Sequence, residues 1–180
     1  MQRTSFAEME CPIARAVDEI GEGWCLLVLR EAFKGARCFA EFEERLGIPP
    51  STLTRRLAGL CECGILQRRS YQSRPPRDEY ELTEKGAELL PVLLLLGEWG
   101  NRWLAPGGAL IVPVEPKTGA RIEPVLVDRA TSKPIRAGAV GLGAGPGASK
   151  QLRTSLRAPV RLASAPEAMS STSSGSDPGT

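Results

Sequence analysis

Through the first hundred positions, apolar residues recur every three or four places, the spacing that lines one face of a helix. Ile13, Ala16, Val17 and Ile20 form one such stripe, interrupted by Gly21-Glu22-Gly23. Trp24, Leu27, Val28 and Ala32 form a second, ended by Lys34-Gly35, and Phe39, Phe42 and Leu46 a third, closed by Gly47. A fourth follows the turn Ile48-Pro49-Pro50, with Leu53, Leu57 and Leu60 facing inward and Thr52, Arg55, Arg56 and Gly59 facing out. Proline suits that start, because the first helical N–H groups have no partner inside the helix. Gly64 is expected to end this helix as a left-handed cap.

The period then changes. Ile65–Tyr71 and Glu79–Thr83 alternate as two strands do, joined by a rigid basic tip, Arg74-Pro75-Pro76-Arg77. Thr83-Glu84 opens a last long helix, since a hydroxyl cap and a first-turn acid both favour a helix start. Its pattern runs unbroken to about Leu104. From Leu89 to Leu96 it is apolar nearly all round, and Trp99 and Trp103 follow one turn apart. A single small chain cannot cover such a helix on every side. Either the C-terminal region or a second copy must do so.

Beyond Pro106-Gly107-Gly108 the pattern weakens. Short apolar runs around Lys117-Thr118-Gly119 and Ala130-Thr131-Ser132-Lys133 predict a small β-hairpin appendage over 109–137. Residues 138–180, rich in Gly, Ala, Ser and Pro, read as a flexible and partly disordered tail. The expected organisation is an N-terminal arm (1–10), a compact domain (11–105), the appendage and the tail. The fold class is α+β, mostly α, ending in a small β-rich or irregular segment.

Total charge says little, since 23 Lys/Arg face 21 Asp/Glu. Its distribution says more. Between Ile48 and Arg77 there are six arginines (55, 56, 68, 69, 74, 77) and one acid, Glu62. A polar, basic helix followed by a basic ribbon is the layout of a winged helix-turn-helix, which lays its second helix in the DNA major groove. On this reading Arg55 and Arg56 reach base edges or phosphates, and a bidentate arginine–guanine pair discriminates by about 1–3 kcal/mol. Ser51, Thr52 and Thr54 are short donors suited to phosphates at the helix start. Arg68 and Arg69 lie on the ribbon, and Arg74 and Arg77 at its tip. The competing reading is a solvated charged face.

Several classes are disfavoured. The chain has no histidine, no glycine-rich phosphate loop and no paired carboxylates in a plausible cleft, so nothing supports an enzyme. The longest apolar run, eight residues, is far below the roughly 20 that span a bilayer, and Met1–Glu10 lacks the apolar core of a signal peptide. Five cysteines, an odd number without framework spacing, fit a reducing cytoplasm. Cys61 and Cys63 stand two apart on a helix and face different ways. No metal or cofactor is therefore expected.

Taken together, Cys11-Pro12-Ile13-Ala14-Arg15-Ala16, Gly21-Glu22-Gly23-Trp24, Leu29-Arg30, Phe39-Ala40-Glu41-Phe42, Leu46-Gly47-Ile48, Leu53-Thr54-Arg55-Arg56-Leu57, Gly64-Ile65-Leu66 and Tyr80-Glu81-Leu82-Thr83-Glu84-Lys85-Gly86 resemble the HxlR-type winged helix-turn-helix regulators of bacteria. Leu90-Pro91-Val92-Leu93 and Glu98-Trp99 extend the likeness, which covers roughly 10–104. It implies a homodimer bound to a near-palindromic operator in double-stranded DNA, repressing or activating nearby genes from the nucleoid, its effector unknown. It also implies dimer contacts from the N-terminal and long helices, for which Ile13, Val17, Leu94, Trp99 and Trp103 are the candidates. Pro49 departs from the small polar residue common in the family and cannot cap with its side chain. Some relatives use a cysteine just before the proline that stands here as Pro12 to sense oxidants or electrophiles, so Cys11 is a candidate redox sensor. An inert thiol packed beside a dimer helix is the alternative. The rival function is a winged helix used for protein contacts alone.

Overall fold

The computed structural model describes residues 5–73, 76–136 and 138–163, and of residues 71–77 no more than the backbone. The chain forms two compact units, divided between Val125 and Leu126. The boundary falls inside the expected 109–137 appendage.

In the first unit, helices α1 (Pro12–Ile20), α2 (Gly23–Phe33), α3 (Phe39–Leu46) and α4 (Pro50–Glu62) precede an antiparallel hairpin, β1 (Leu66–Ser73) and β2 (Pro76–Leu82). The core is built from the inward stripes: Val28 and Leu29 of α2, Phe42 of α3, Leu53, Leu57 and Leu60 of α4, and Ile65 and Leu66 entering β1. Phe42 meets Tyr80 of β2 edge-on, with ring centroids 6.4 Å apart. The Tyr80 N–H donates to the Arg37 carbonyl (2.8 Å), and Cys38 bridges Glu79. The segment before α3 thus meets β2 at a single isolated bridge.

Two turns fix how α4 is held. Gly47 closes α3 in the left-handed conformation, φ 58°. After α4, Gly64 takes φ 69°, and the Ile65 N–H reaches back to the Leu60 carbonyl (2.9 Å). That is the Schellman pattern, with buried Leu60 and Ile65 as its apolar contact.

The expected single helix from Thr83 to Leu104 is two helices instead. A one-turn α5 (Glu84–Ala87) is separated by Glu88-Leu89 from α6 (Leu90–Leu104). Pro91 is the cause: it has no N–H to offer the Ala87 carbonyl, and its ring crowds that position. Thr83 anchors the junction, donating to the Gly64 carbonyl (2.7 Å) and accepting from the Gly86 N–H (3.1 Å).

The stretch expected to be one β-hairpin holds two small loops of one design. In the first, Glu115 N–H donates to Ala120, Gly119 N–H to Glu115, and Ile122 N–H to Pro113. In the second, thirteen positions on, Asp128 donates to Lys133, Ser132 to Asp128, and Ile135 to Leu126. The acid of each loop accepts from the backbone N–H of the threonine three residues later, Thr118 or Thr131, at 2.7 Å. Gly119 and Ser132, next in each loop, have positive φ.

Residues 138–163 were expected to be flexible, yet they hold β3 (Gly141–Leu142), α7 (Lys150–Ser155) and β4 (Val160–Arg161), with β3 and β4 paired. Ser149 caps α7 by accepting from Leu152 N–H, a start that the sequence reading passed over. The rest of that tail, 164–180, lies outside the described residues.

Candidate nucleic-acid interface

Helix α4 presents two unlike faces. Leu53, Leu57 and Leu60 are buried, while Ser51, Thr54, Arg55, Ala58 and Gly59 are exposed and Thr52 is half-buried. Because Pro49 holds the N-cap and Pro50 the first helical position, no side chain caps the start. The Ser51 N–H meets no acceptor among the described residues, so it points a free donor where the helix dipole favours an anion. Thr54 spends its proton on the Pro50 carbonyl (2.9 Å), which leaves its oxygen an acceptor.

Arg55 faces out, as its place in the helical pattern predicts. It is exposed and has no ion pair or side-chain hydrogen bond among the described residues. Arg56 does not face out. Its side chain retains 11% exposure and forms an ion pair with Glu22, the N-cap of α2. Its Nε is buried without a hydrogen-bond partner. One position on a helix turns a side chain by about 100°, and Arg56 lies one position before Leu57. That rotation carries it into the corner between α1, α2 and α4. An open cleft of about 350 Å³ lies there, bordered by Asp18, Glu19, Cys25, Arg55, Arg56 and Glu62. Arg56 thus links α2 to α4 and, unlike Arg55, is not presented on the exposed face of the helix.

The ribbon also differs from its sequence count. The antiparallel register sets Arg69 opposite Glu79 and Gln67 opposite Glu81. Arg68 pairs with Asp78 at 2.5 Å, and Arg69 reaches Glu81 at 3.7 Å. Ser70 and Arg68, both hydrogen-bonded to Asp78, hold its carboxyl below the usual carboxylate range. Arg37 adds a second cation to Glu81 (3.0 Å). Arg68 and Arg69 remain exposed at 62% and 71%, but their charge is largely answered by acids of the returning strand. A bulge between Ser70 and Gln72 twists the hairpin on its way to the tip. Arg74 and the side chain of Arg77 lie outside the described residues.

Neither α1 nor α6 buries a residue fully. Ile13 is 73% exposed, Trp99 53% and Trp103 68%; Val17 is exposed as well, and Leu94 is half-buried. Cys11 is the half-buried N-cap residue of α1. Among the described residues all five cysteines are free, and no three His, Cys, Asp or Glu stand close enough to hold a metal ion. No described helix is long and apolar enough to cross a membrane.

The sequence reading missed Glu22, Asp78 and Glu81. The two ribbon acids could have been found by pairing the strands on paper. Nothing local marks Glu22 as the partner of Arg56.

This geometry has known relatives. The profile of HxlR-like helix-turn-helix domains matches residues 19–107. The uncharacterised HTH-type transcriptional regulator Rv3095 of Mycobacterium tuberculosis is 39% identical over 144 residues, 79% of this chain and 91% of the relative. The chain belongs to the HxlR-like helix-turn-helix family. A second relative, the uncharacterised regulator sll1512 of Synechocystis, is 44% identical over 95 residues, covering 52% of this chain and 70% of its own length. Among solved structures, the candidate transcription factor PA1607 superposes with a TM-score of 0.72 at 33% identity, over 79% of this chain and all of its own. PA1374 of Pseudomonas aeruginosa, also a candidate transcription factor, gives 0.62 at 38% identity over 81% of this chain and all of its own. This HxlR-family protein is thus a transcriptional regulator of helix-turn-helix type and not an enzyme. Its mostly helical fold with small antiparallel sheets is a winged helix-turn-helix.

Proposed function

We propose that this HxlR-family regulator binds a near-palindromic operator as a homodimer in the cytoplasm, on the nucleoid, and represses the adjacent gene. One observation carries the reading: α4 buries Leu53, Leu57 and Leu60 and leaves Ser51, Thr54 and unpaired Arg55 open to solvent. A helix anchored on one face and polar on the other is what a major groove accommodates. Ser51 N–H and Thr52 would take phosphates, Arg55 a base edge, and the ribbon the flanking backbone. The dimer is supported by the exposed apolar residues of α1 and α6, which a second copy would cover by a two-fold contact. Such symmetry calls for an operator with matching half-sites. Repression follows if the occupied site overlaps a promoter.

The test is a gel-shift on the intergenic DNA upstream of the gene for this protein, titrated with salt. Affinity should fall steeply between about 50 and 200 mM salt, and the Arg55→Ala protein should lose preference for that DNA over a scrambled duplex. A protein that binds no duplex, or binds all equally with and without Arg55, overturns the reading.

A further inference from the structure

We propose that the second unit, over residues 126–163, is an auxiliary contact to the phosphate backbone of DNA flanking the operator, independent of base sequence. The inference rests on the DNA-binding reading above and extends it to a part of the chain outside the winged helix. Charge is the first ground. Residues 126–163 carry seven Lys/Arg against one acid, Asp128, whereas residues 1–125 carry 16 against 18. The unit that reads DNA is itself net negative, and the unit beside it in sequence is net +6.

The second ground is how those charges are used. Asp128 is held within its own loop, accepting from the Thr131 N–H (2.7 Å) and hydroxyl (2.8 Å), and makes no ion pair among the described residues. Arg153 and Arg161 donate to the carbonyls of Ala148 and Gly138 and serve the local fold. Arg129, Lys133, Arg136, Lys150 and Arg157 are all exposed and have no ion pair or side-chain hydrogen bond among the described residues. In the winged-helix unit Arg56, Arg68 and Arg69 are each paired with an acid, while Arg55 is not. The second unit therefore adds a positive field that the net charge of the first does not supply.

The third ground is the shape that carries them. Three of the five cations sit on a tight loop or just beyond it, and α7 is six residues long, too short to read a groove. Long cationic side chains on such a frame suit phosphates, which position a protein without specifying sequence. A bilayer surface is the poorer partner. Leu152 and Leu156 are half-buried, so α7 offers no apolar face to insert. Covalent tethering holds the unit near any DNA that α4 has engaged, so even weak phosphate contacts add to affinity.

The experiment uses the full-length protein, the upstream intergenic duplex and a random duplex of the same length. The variant Arg129→Gln/Lys133→Gln/Arg136→Gln/Lys150→Gln/Arg157→Gln removes the five unpaired charges. Each phosphate contact adds about 0.9 to the slope of log affinity against log salt, so the slope should become shallower by about 3–5. Affinity should drop by the same factor on both duplexes, leaving their ratio unchanged. Arg129→Lys/Arg136→Lys/Arg157→Lys, which keeps the charge, should retain the slope; a loss shared by this variant would mean shape and not charge is responsible, and would overturn the proposal. An unchanged slope in the glutamine variant would overturn it too, as would lost binding to phosphatidylserine vesicles with DNA binding intact. If instead the wild-type protein fails to prefer the intergenic duplex and Arg55→Ala changes nothing, the DNA-binding reading itself fails.

Discussion

Arg56 is ion-paired to Glu22 across the α2–α4 corner, while its neighbour Arg55 stands in solvent. Two adjacent residues of one type are thus placed on different faces. Arg55→Ala should leave stability within about 0.5 kcal/mol, as for other surface changes, and weaken operator binding about tenfold or more. Arg56→Ala should lower stability by about 1–2 kcal/mol, because the ion pair with Glu22 that ties α2 to α4 is lost. Urea unfolding and gel-shifts on both variants check this; equal stability losses would mean the two side chains are not divided in this way.

Among the described residues Glu31 is the one buried charged residue, 1% exposed, and it receives Arg30 (2.8 Å) and Lys34 (3.0 Å). Burial pushes its pKa up, but the hydrogen bonds and charges of Lys34 and Arg30 outweigh this, and the carboxyl ends below its ordinary value. A lowered folded-state pKa stabilises the fold above the unfolded value, about 4.3 for glutamate, and that contribution is lost as pH falls through the folded value. Wild type should therefore exceed Glu31→Gln in urea stability at pH 6–7, and the gap should close under acid. A gap independent of pH would contradict the assignment.

Gly86 packs so closely on the hairpin that a Cβ would run into the Ile65 carbonyl. Gly86→Ala should cost about 1–3 kcal/mol through overpacking, against the usual gain of alanine in a helix. Thermal unfolding reads it directly. Gly59, with open space around it, is the control, and its alanine variant should be neutral or stabilising.

Trp103 and Ile13 stand largely in water on helices that bury nothing fully. If a second copy covers them, Ile13→Asp or Trp103→Ser should shift the protein toward monomer in sedimentation and reduce operator affinity, with circular dichroism preserved. An unchanged association state in both variants would place the dimer contact elsewhere.

Cys25 is buried, and burial pushes its thiol up despite nearby Arg56. It should resist iodoacetamide near neutral pH, whereas Cys11, half-exposed at a helix cap, should label. The sensor reading of Cys11 expects diamide to weaken operator binding in wild type and not in Cys11→Ser. Identical responses in the two proteins would leave Cys11 a packing residue.

Much of this was written locally. Period-3.6 stripes placed α1 to α4 within a residue or two, because an amphipathic helix must put its apolar residues on one side whatever it packs against. Gly64 announced its own conformation, since few other residues take positive φ at low cost. Even the break before α6 was legible in Pro91, had its missing N–H been weighed against the unbroken apolar pattern.

Pairing was another matter. Residues 48–77 hold six arginines and one acid along the chain, but Asp78 and Glu81 lie just past that window, and the hairpin folds them back onto Arg68 and Arg69. The same holds for Arg56, whose partner is 34 positions away. Helix, turn and core membership depend on neighbours in sequence, and the amino-acid order alone determined them here. Which cations are left for a polyanion depends on neighbours in space, because a charge is cancelled by whatever acid the fold brings within a few ångströms, and only the tertiary structure decided that.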